Sequence, residues 1–282
     1  MTVDAGALRI VHFASLARSG ETMLLRALDA HPQVHVVHDL RAINTDDEQR
    51  LYRLLRVWPL PTLPRAALDA QIAPGHVATE RRVLLLKQGV FAPRHRAPGF
   101  GLIRNPYAVF CSLWSYDARL AGQVPTPALN LHHWLERRLP RLLVWADASL
   151  PALLPALRRE SDPVRQFLLY WRARTEQILA RHETVVAYED FVRDPARALR
   201  AICAGSGLTF DPAMLDAHRR WPAGARGHGG IHLDAPIRPV SAWTPDPLVP
   251  IEPFARAVDT GPVPAWCGLY SRAGAPALPL AA

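Results

Sequence analysis

Residues 8–39 constrain this 282-residue chain more than any other stretch. An apolar run, residues 8–15, enters a short turn, Ala17-Arg18-Ser19-Gly20. A helical pattern follows, with Met23, Leu24, Leu25 and Leu28 on one apolar stripe. Strand, small-residue turn and helix make the local architecture of an anion site. Backbone N–H groups at the helix start face the ligand, and the helix dipole favours negative charge there. Arg18 adds a planar fork of donors suited to phosphate or sulfate. The turn is not the standard nucleotide-triphosphate loop, which needs two glycines and then a lysine followed by Ser or Thr. Here one glycine and no lysine are present, and the acidic Glu21 follows. An ordinary helix N-terminus fits residues 18–22 equally well, with Ser19 as N-cap and Glu21 and Thr22 suited to the positive dipole end.

A second stretch, FGLIRNPYAVFCSLWSY at residues 100–116, has the same character. A short apolar run ends at Arg104, Asn105-Pro106 breaks it, and a helix begins near Tyr107, with proline well placed for a first turn. Ser112 lies eight residues after Arg104. A strand-end arginine and a serine in the next helix can converge on one anion; a surface ion pair for Arg104 is the plainer alternative.

Alternation continues along the chain. Continuous apolar runs at residues 8–15, 34–37, 83–87, 100–103 and 184–188 suit parallel strands buried on both faces. Helical patterns occupy residues 21–30, 45–58, 108–121, 129–145, 164–181 and 195–206. The fold class expected is α/β, a doubly wound parallel sheet with its ligand at the carboxyl ends of the strands. Both candidate anion motifs follow strand ends. One domain over residues 1–282 is expected, with a turn-rich linker at 59–64 and a helical insertion at 117–162. That insertion carries Trp134 and Trp145 and reads as a cap over an acceptor site or as helices packed on the sheet. The Gly- and Pro-rich residues 221–250 read as a functional or mobile loop.

The net charge of +8 raises nucleic acid as a partner. The arginines are spread along the chain beside acidic residues, with no dense basic tail and no interleaved aromatic motif, so none is expected. A multiply anionic cofactor accounts for part of the excess. There is no run of about 18 apolar residues for a membrane span and no secretory leader pattern. The three cysteines, Cys111, Cys203 and Cys267, lack metal-ligand spacing. The expected location is the cytoplasm, with the thiols free.

Together these segments resemble the sulfotransferases that use 3′-phosphoadenosine 5′-phosphosulfate (PAPS), bacterial and carbohydrate-type members included. Arg18-Ser19-Gly20-Glu21-Thr22 matches that family's 5′-phosphosulfate loop at four of five positions, the exception being Glu21. Arg104-Asn105-Pro106 with Ser112 matches its 3′-phosphate signature. His31-Pro32, Tyr188-Glu189-Asp190-Phe191, Asp194-Pro195, Gly207-Leu208, Ser241-Ala242-Trp243 and Gly268-Leu269-Tyr270 follow in family order. The resemblance spans roughly residues 8–270 and implies a P-loop-like fold, PAPS as donor, 3′,5′-ADP as product and no metal. The cofactor would be held by Arg18, Ser19, Gly20, Glu21, Thr22, Met23, Arg104, Ser112 and Tyr188, with residues 221–250 closing over it. The Glu21 carboxylate is expected to point away from the loop or to pair with Arg18 or Arg26.

Sulfuryl transfer needs an aligned acceptor, charge neutralisation and a base. Arg18 would stabilise the leaving charge. Lys87 closes an otherwise apolar run and resembles the family lysine that contacts the transferred group. Asp39, seven residues after Pro32, stands where several members carry a catalytic glutamate, and His38 is adjacent. The histidine found two residues after the lysine in cytosolic members is Gly89 here, so the base is assigned to the His38-Asp39 pair, Asp39 first. His31 and His35 read as packing or helix-end residues. The acceptor is expected to be a small-molecule, carbohydrate or lipid-like hydroxyl or amine compound. A P-loop-like nucleotide kinase and a non-catalytic nucleotide-binding module of the same fold are the rival readings.

Overall fold

The computed structural model describes residues 7–37, 45–88, 99–227, 231–238, 246, 249 and 252–259. Its strands are β1 (Ala7–Ser15), β2 (Val34–Val37), β3 (Thr62–Pro64), β4 (Val83–Gln88), β5 (Gly99–Ile103) and β6 (Thr184–Ala187). They form one sheet in the order β2-β4-β1-β5-β6, parallel throughout, with β3 antiparallel to the start of β1. The chain is therefore an α/β protein with a mostly parallel central sheet.

The apolar runs form buried strands because helices cover both faces. On one face, Val11 and Phe13 of β1 pack with Leu24, Leu25 and Leu28 of α1 (Glu21–Asp29). Each such leucine contributes about 1.5–3 kcal/mol by leaving water. On the other face, Leu8 and Ile10 meet Leu51 and Leu55 of α2 (Asp46–Val57) and Leu68 of α3 (Arg65–Asp69). Further along that face, Ala14 and Ile103 pack against Phe110 of α4 (Pro106–Trp114). Next come α5 (Tyr116–Leu120), α6 (Pro127–His133), α7 (Leu139–Ser149), α8 (Leu154–Arg159) and the long α9 (Pro163–Arg181). After β6 the chain forms α10 (Tyr188–Arg193), α11 (Pro195–Gly205) and α12 (Glu252–Asp259).

Several expected boundaries differ, each for a local reason. Residues 59–64 are more than a linker: they include β3, which forms because β1 offers a free edge at Ala7–Arg9. The helix expected at 108–121 divides at Ser115, whose hydroxyl donates to the Cys111 carbonyl at 3.3 Å and competes with the backbone ladder. The helix expected at 129–145 runs through a π-helical turn, Trp134–Arg138. Pro140 follows it, has no N–H for the Glu136 carbonyl and crowds that turn. Tyr188 opens α10 and does not close β6.

The insertion's tryptophans are interior. Trp134 and Trp145 are each 1% exposed and pack with Phe110, Phe167 and Tyr170, so neither offers a face to an acceptor. Of residues 221–250, the part at 231–238 is tied to α1: the buried Arg26 donates to the Leu233 and Ala235 carbonyls, both at 2.6 Å. No helix among the described residues is long and apolar enough to cross a membrane.

Candidate anion-binding site

β1 continues to β2 on one side and β5 continues to β6 on the other, so the crevice between the carboxyl ends of β1 and β5 is the topological switch point of the sheet. The Arg18 turn follows β1, Arg104 follows β5, and Lys87 lies beside Phe13 near the end of β4.

Arg18 has φ 71° and Gly20 has φ 92°, both left-handed. A non-glycine residue held there costs about 1–3 kcal/mol and persists only where its surroundings fix it. Four contacts fix Arg18. Its N–H donates to Glu21 Oε2 at 3.2 Å, and its carbonyl accepts from Arg104 Nη1 at 2.9 Å. Its Nε donates to Ser112 Oγ at 3.0 Å, and its guanidinium lies 4.4 Å from the centre of the Tyr116 ring. Burial lowers the Arg18 pKa, opposed by the Tyr116 and Glu21 charges. Arg18 and Arg104, 86 residues apart in sequence, thus touch.

Gly20, not Ser19, is the N-cap of α1, and it supplies no side-chain cap. A Cβ at Gly20 would fall 2.2 Å from Tyr188 ring atoms, so the ring closes the turn and only glycine fits. The Ser19 hydroxyl is fully buried and has no hydrogen-bond partner among the described residues. Arg104 stacks over the other part of the cradle, 4.4 Å from the Tyr188 ring centre, and its buried Nε also lacks a partner among the described residues. The Asn105 side chain caps α4 by accepting from Tyr107 N at 2.9 Å. Its own N–H donates to Glu189 Oε1 at 3.1 Å. Desolvation pushes the Glu189 carboxyl up to about 7.

Glu21 departs from expectation. Its carboxylate turns into the loop. Oε1 accepts from the Ser15 hydroxyl at 2.7 Å and pairs with Lys87 Nζ at 3.2 Å, while Oε2 takes the Arg18 N–H. Arg26 is engaged elsewhere, with the 231–238 segment. Glu21 therefore sits as an internal anion on the Ser15 hydroxyl, the Lys87 ammonium and the Arg18 N–H. Tyr170 and Arg174 of α9 lie within electrostatic reach. Burial raises the Tyr170 pKa and lowers that of Arg174, and the Glu21 charge acts on both.

Of the sequence candidates, Arg18, Ser19, Gly20, Glu21, Lys87, Arg104, Ser112 and Tyr188 come together here. Ser112 faces Arg18, where convergence with Arg104 was expected. Thr22 is buried and Met23 packs against the core, which leaves their backbones as the groups facing the turn. His38, Asp39, Gly89, Ser241-Ala242-Trp243 and Gly268-Leu269-Tyr270 lie outside the described residues. Tyr116, Tyr170 and Arg174 escaped sequence reasoning. Arg174 had a signal: it shares the buried stripe of Phe167, Tyr170, Trp171 and Ile178, where a guanidinium has no place in ordinary packing.

No family profile and no curated protein sequence matches the chain. Among solved structures it is similar to the sulfotransferase domain from the Synechococcus PCC 7002 olefin synthase, at 18% identity and TM-score 0.42, over 92% of this chain and 97% of that one. It is similar to a sulfotransferase from Alicyclobacillus acidocaldarius at 16% identity and TM-score 0.42, over 76% and 89% of the two chains. Mouse sulfotransferase SULT7A1 complexed with PAP is similar at 11% identity and TM-score 0.48, over 93% and 89%.

Proposed function

We propose that the chain is a sulfotransferase that passes the sulfuryl group of PAPS to a hydroxyl or amine acceptor, releasing 3′,5′-ADP. The observation that carries this reading is the contact between the two anion motifs, with Arg104 Nη1 on the Arg18 carbonyl at the switch point of the sheet. The residues present fit such a donor. Ser19 Oγ and Arg104 Nε are buried donors with no partner among the described residues. The α1 turn with Arg18 would hold the 5′-phosphosulfate, and Arg104 with Ser112 the 3′-phosphate. Lys87 would face the transferred group. The base is assigned to Asp39, with His38 as the alternative. The acceptor is a small-molecule, carbohydrate or lipid-like compound.

A thermal-shift comparison tests the donor. 3′,5′-ADP should raise the melting temperature by mass action, and ATP with Mg²⁺ should not. Stabilisation by ATP–Mg²⁺ alone would reassign the chain to nucleotide kinase chemistry.

One observation favours a second reading, a non-catalytic module of the same fold: the Glu21 carboxylate already occupies the loop donors. Glu21→Ser removes this internal anion and restores the family's loop pattern. Under the sulfotransferase reading, wild-type chain binds 3′,5′-ADP, and Glu21→Ser tightens it about tenfold or more, roughly 1.4 kcal/mol, in calorimetric titration. Unchanged affinity would mean that the carboxylate leaves the loop at no cost. Binding by the variant alone would support the non-catalytic module.

A further inference from the structure

Away from the anion loop, at the β2 edge of the sheet, two imidazoles and one carboxylate converge. His35 Nε2 lies 3.3 Å and His76 Nε2 2.8 Å from the same oxygen, Glu48 Oε2. The three ligand atoms all lie within 4.8 Å of one another. The residues come from three elements: β2, the first turn of α2, and the turn that follows α3. Tertiary packing rather than local sequence therefore brings them together. His35 shares the β2 face of Val37. The trio stands at the rim of the apolar cluster of Val37, Leu51, Leu55, Ile72 and Val77.

We propose that His35, Glu48 and His76 form a binding site for one Zn²⁺ or a similar borderline divalent cation. Two neutral imidazoles and a carboxylate are a zinc donor set, whereas magnesium and calcium prefer oxygen ligands alone. Bonds of about 2.0–2.1 Å in a tetrahedral site place ligand atoms roughly 3.3 Å apart. The two N···O separations, 3.3 and 2.8 Å, are close to that spacing. The rings are 5.8 Å apart at an interplanar angle of 65°, so they meet edge to face and are not stacked. Side-chain exposures of 18%, 13% and 20% leave the cluster largely buried yet in contact with solvent, which would supply a water as fourth ligand.

None of the three residues is assigned a role in the proposed sulfuryl transfer. His35 and Glu48 flank residues 36–47, so a bound metal would tie together the two ends of the segment that carries His38 and Asp39.

The test uses the whole chain without an affinity tag, treated with chelator and then titrated with Zn²⁺ and with Co²⁺. One equivalent of zinc per chain is expected, with a raised melting temperature. The Co²⁺ form should show four-coordinate visible absorption without a thiolate charge-transfer band. A folded chain that binds no zinc overturns the proposal, and so does a thiolate band, which would move the metal to the cysteines. Glu48→Gln and His76→Ala should each weaken zinc by more than the roughly 10–100-fold typical of losing an outer-shell partner. His132→Ala, at an exposed histidine elsewhere, should retain it. Unchanged affinity in a folded Glu48→Gln or His76→Ala variant also overturns the proposal. If both variants unfold, the wild-type stoichiometry and cobalt spectrum decide.

Discussion

Arg104→Ala is expected to weaken 3′,5′-ADP binding by about 2–5 kcal/mol, the usual loss when a charged hydrogen-bond partner leaves a bound anion. That is roughly 30- to 5,000-fold. 5′-AMP, which lacks the 3′-phosphate, should lose much less. The selectivity matters because Arg104 does two things. Its Nη1 holds the Arg18 carbonyl, which supports the left-handed turn, and its buried Nε has no partner among the described residues. If Arg104 served only as a prop for the turn, both nucleotides would lose affinity equally, because both place a 5′-phosphate there. Equal losses, measured by calorimetry on a variant with a native melting profile, would remove the 3′-phosphate assignment. Arg104→Lys should recover part of the affinity through charge, but not the planar fork.

The cost of this arrangement is also visible. Arg18, Arg104 and Lys87 crowd one crevice, and burial already lowers the Arg18 pKa. Within the described residues the Glu21 carboxylate offsets that positive charge from inside the loop. A multiply charged donor would take over the same task. Under the proposed sulfotransferase reading Glu21 would compete with the donor for these groups, and its removal should change donor affinity.

β1, β2, β4, β5 and β6 were legible because each contains a short, mainly apolar run, and length and flanking turns distinguish such runs from helices. β3 was not: three residues beside prolines carry no periodicity, and only the free edge of β1 makes them a strand. The Arg18 and Arg104 motifs were legible because each is local, a few residues set by one strand end and one helix start. The direction of Glu21 was not, because it depends on Lys87, 66 residues away, and on Ser15 across the turn. The His35, Glu48 and His76 cluster was hidden for the same reason. No two of its members share an element, so no spacing announces it.

Asp39→Asn is expected to lower turnover by roughly 10²–10⁴-fold, the usual contribution of a general base, and to leave 3′,5′-ADP binding almost unchanged. β2 ends at Val37, whose strand partner Leu86 immediately precedes Lys87. Asp39 follows two residues later in sequence, at the position where the resembled family places a carboxylate. Asparagine keeps the shape and removes the basicity, so a loss confined to turnover isolates proton transfer from binding. Turnover is read as 3′,5′-ADP released from PAPS with the best acceptor from a panel of hydroxyl and amine compounds. His38→Ala should do less. If His38→Ala abolishes turnover and Asp39→Asn stays near wild type, the two roles exchange. A third candidate group, the Glu21 carboxylate, stands 3.2 Å from Lys87 and gives the remaining outcome its meaning. Should both variants turn over normally while Glu21→Ser binds 3′,5′-ADP more tightly yet transfers nothing, the base lies in the loop itself and the assignment to Asp39 fails.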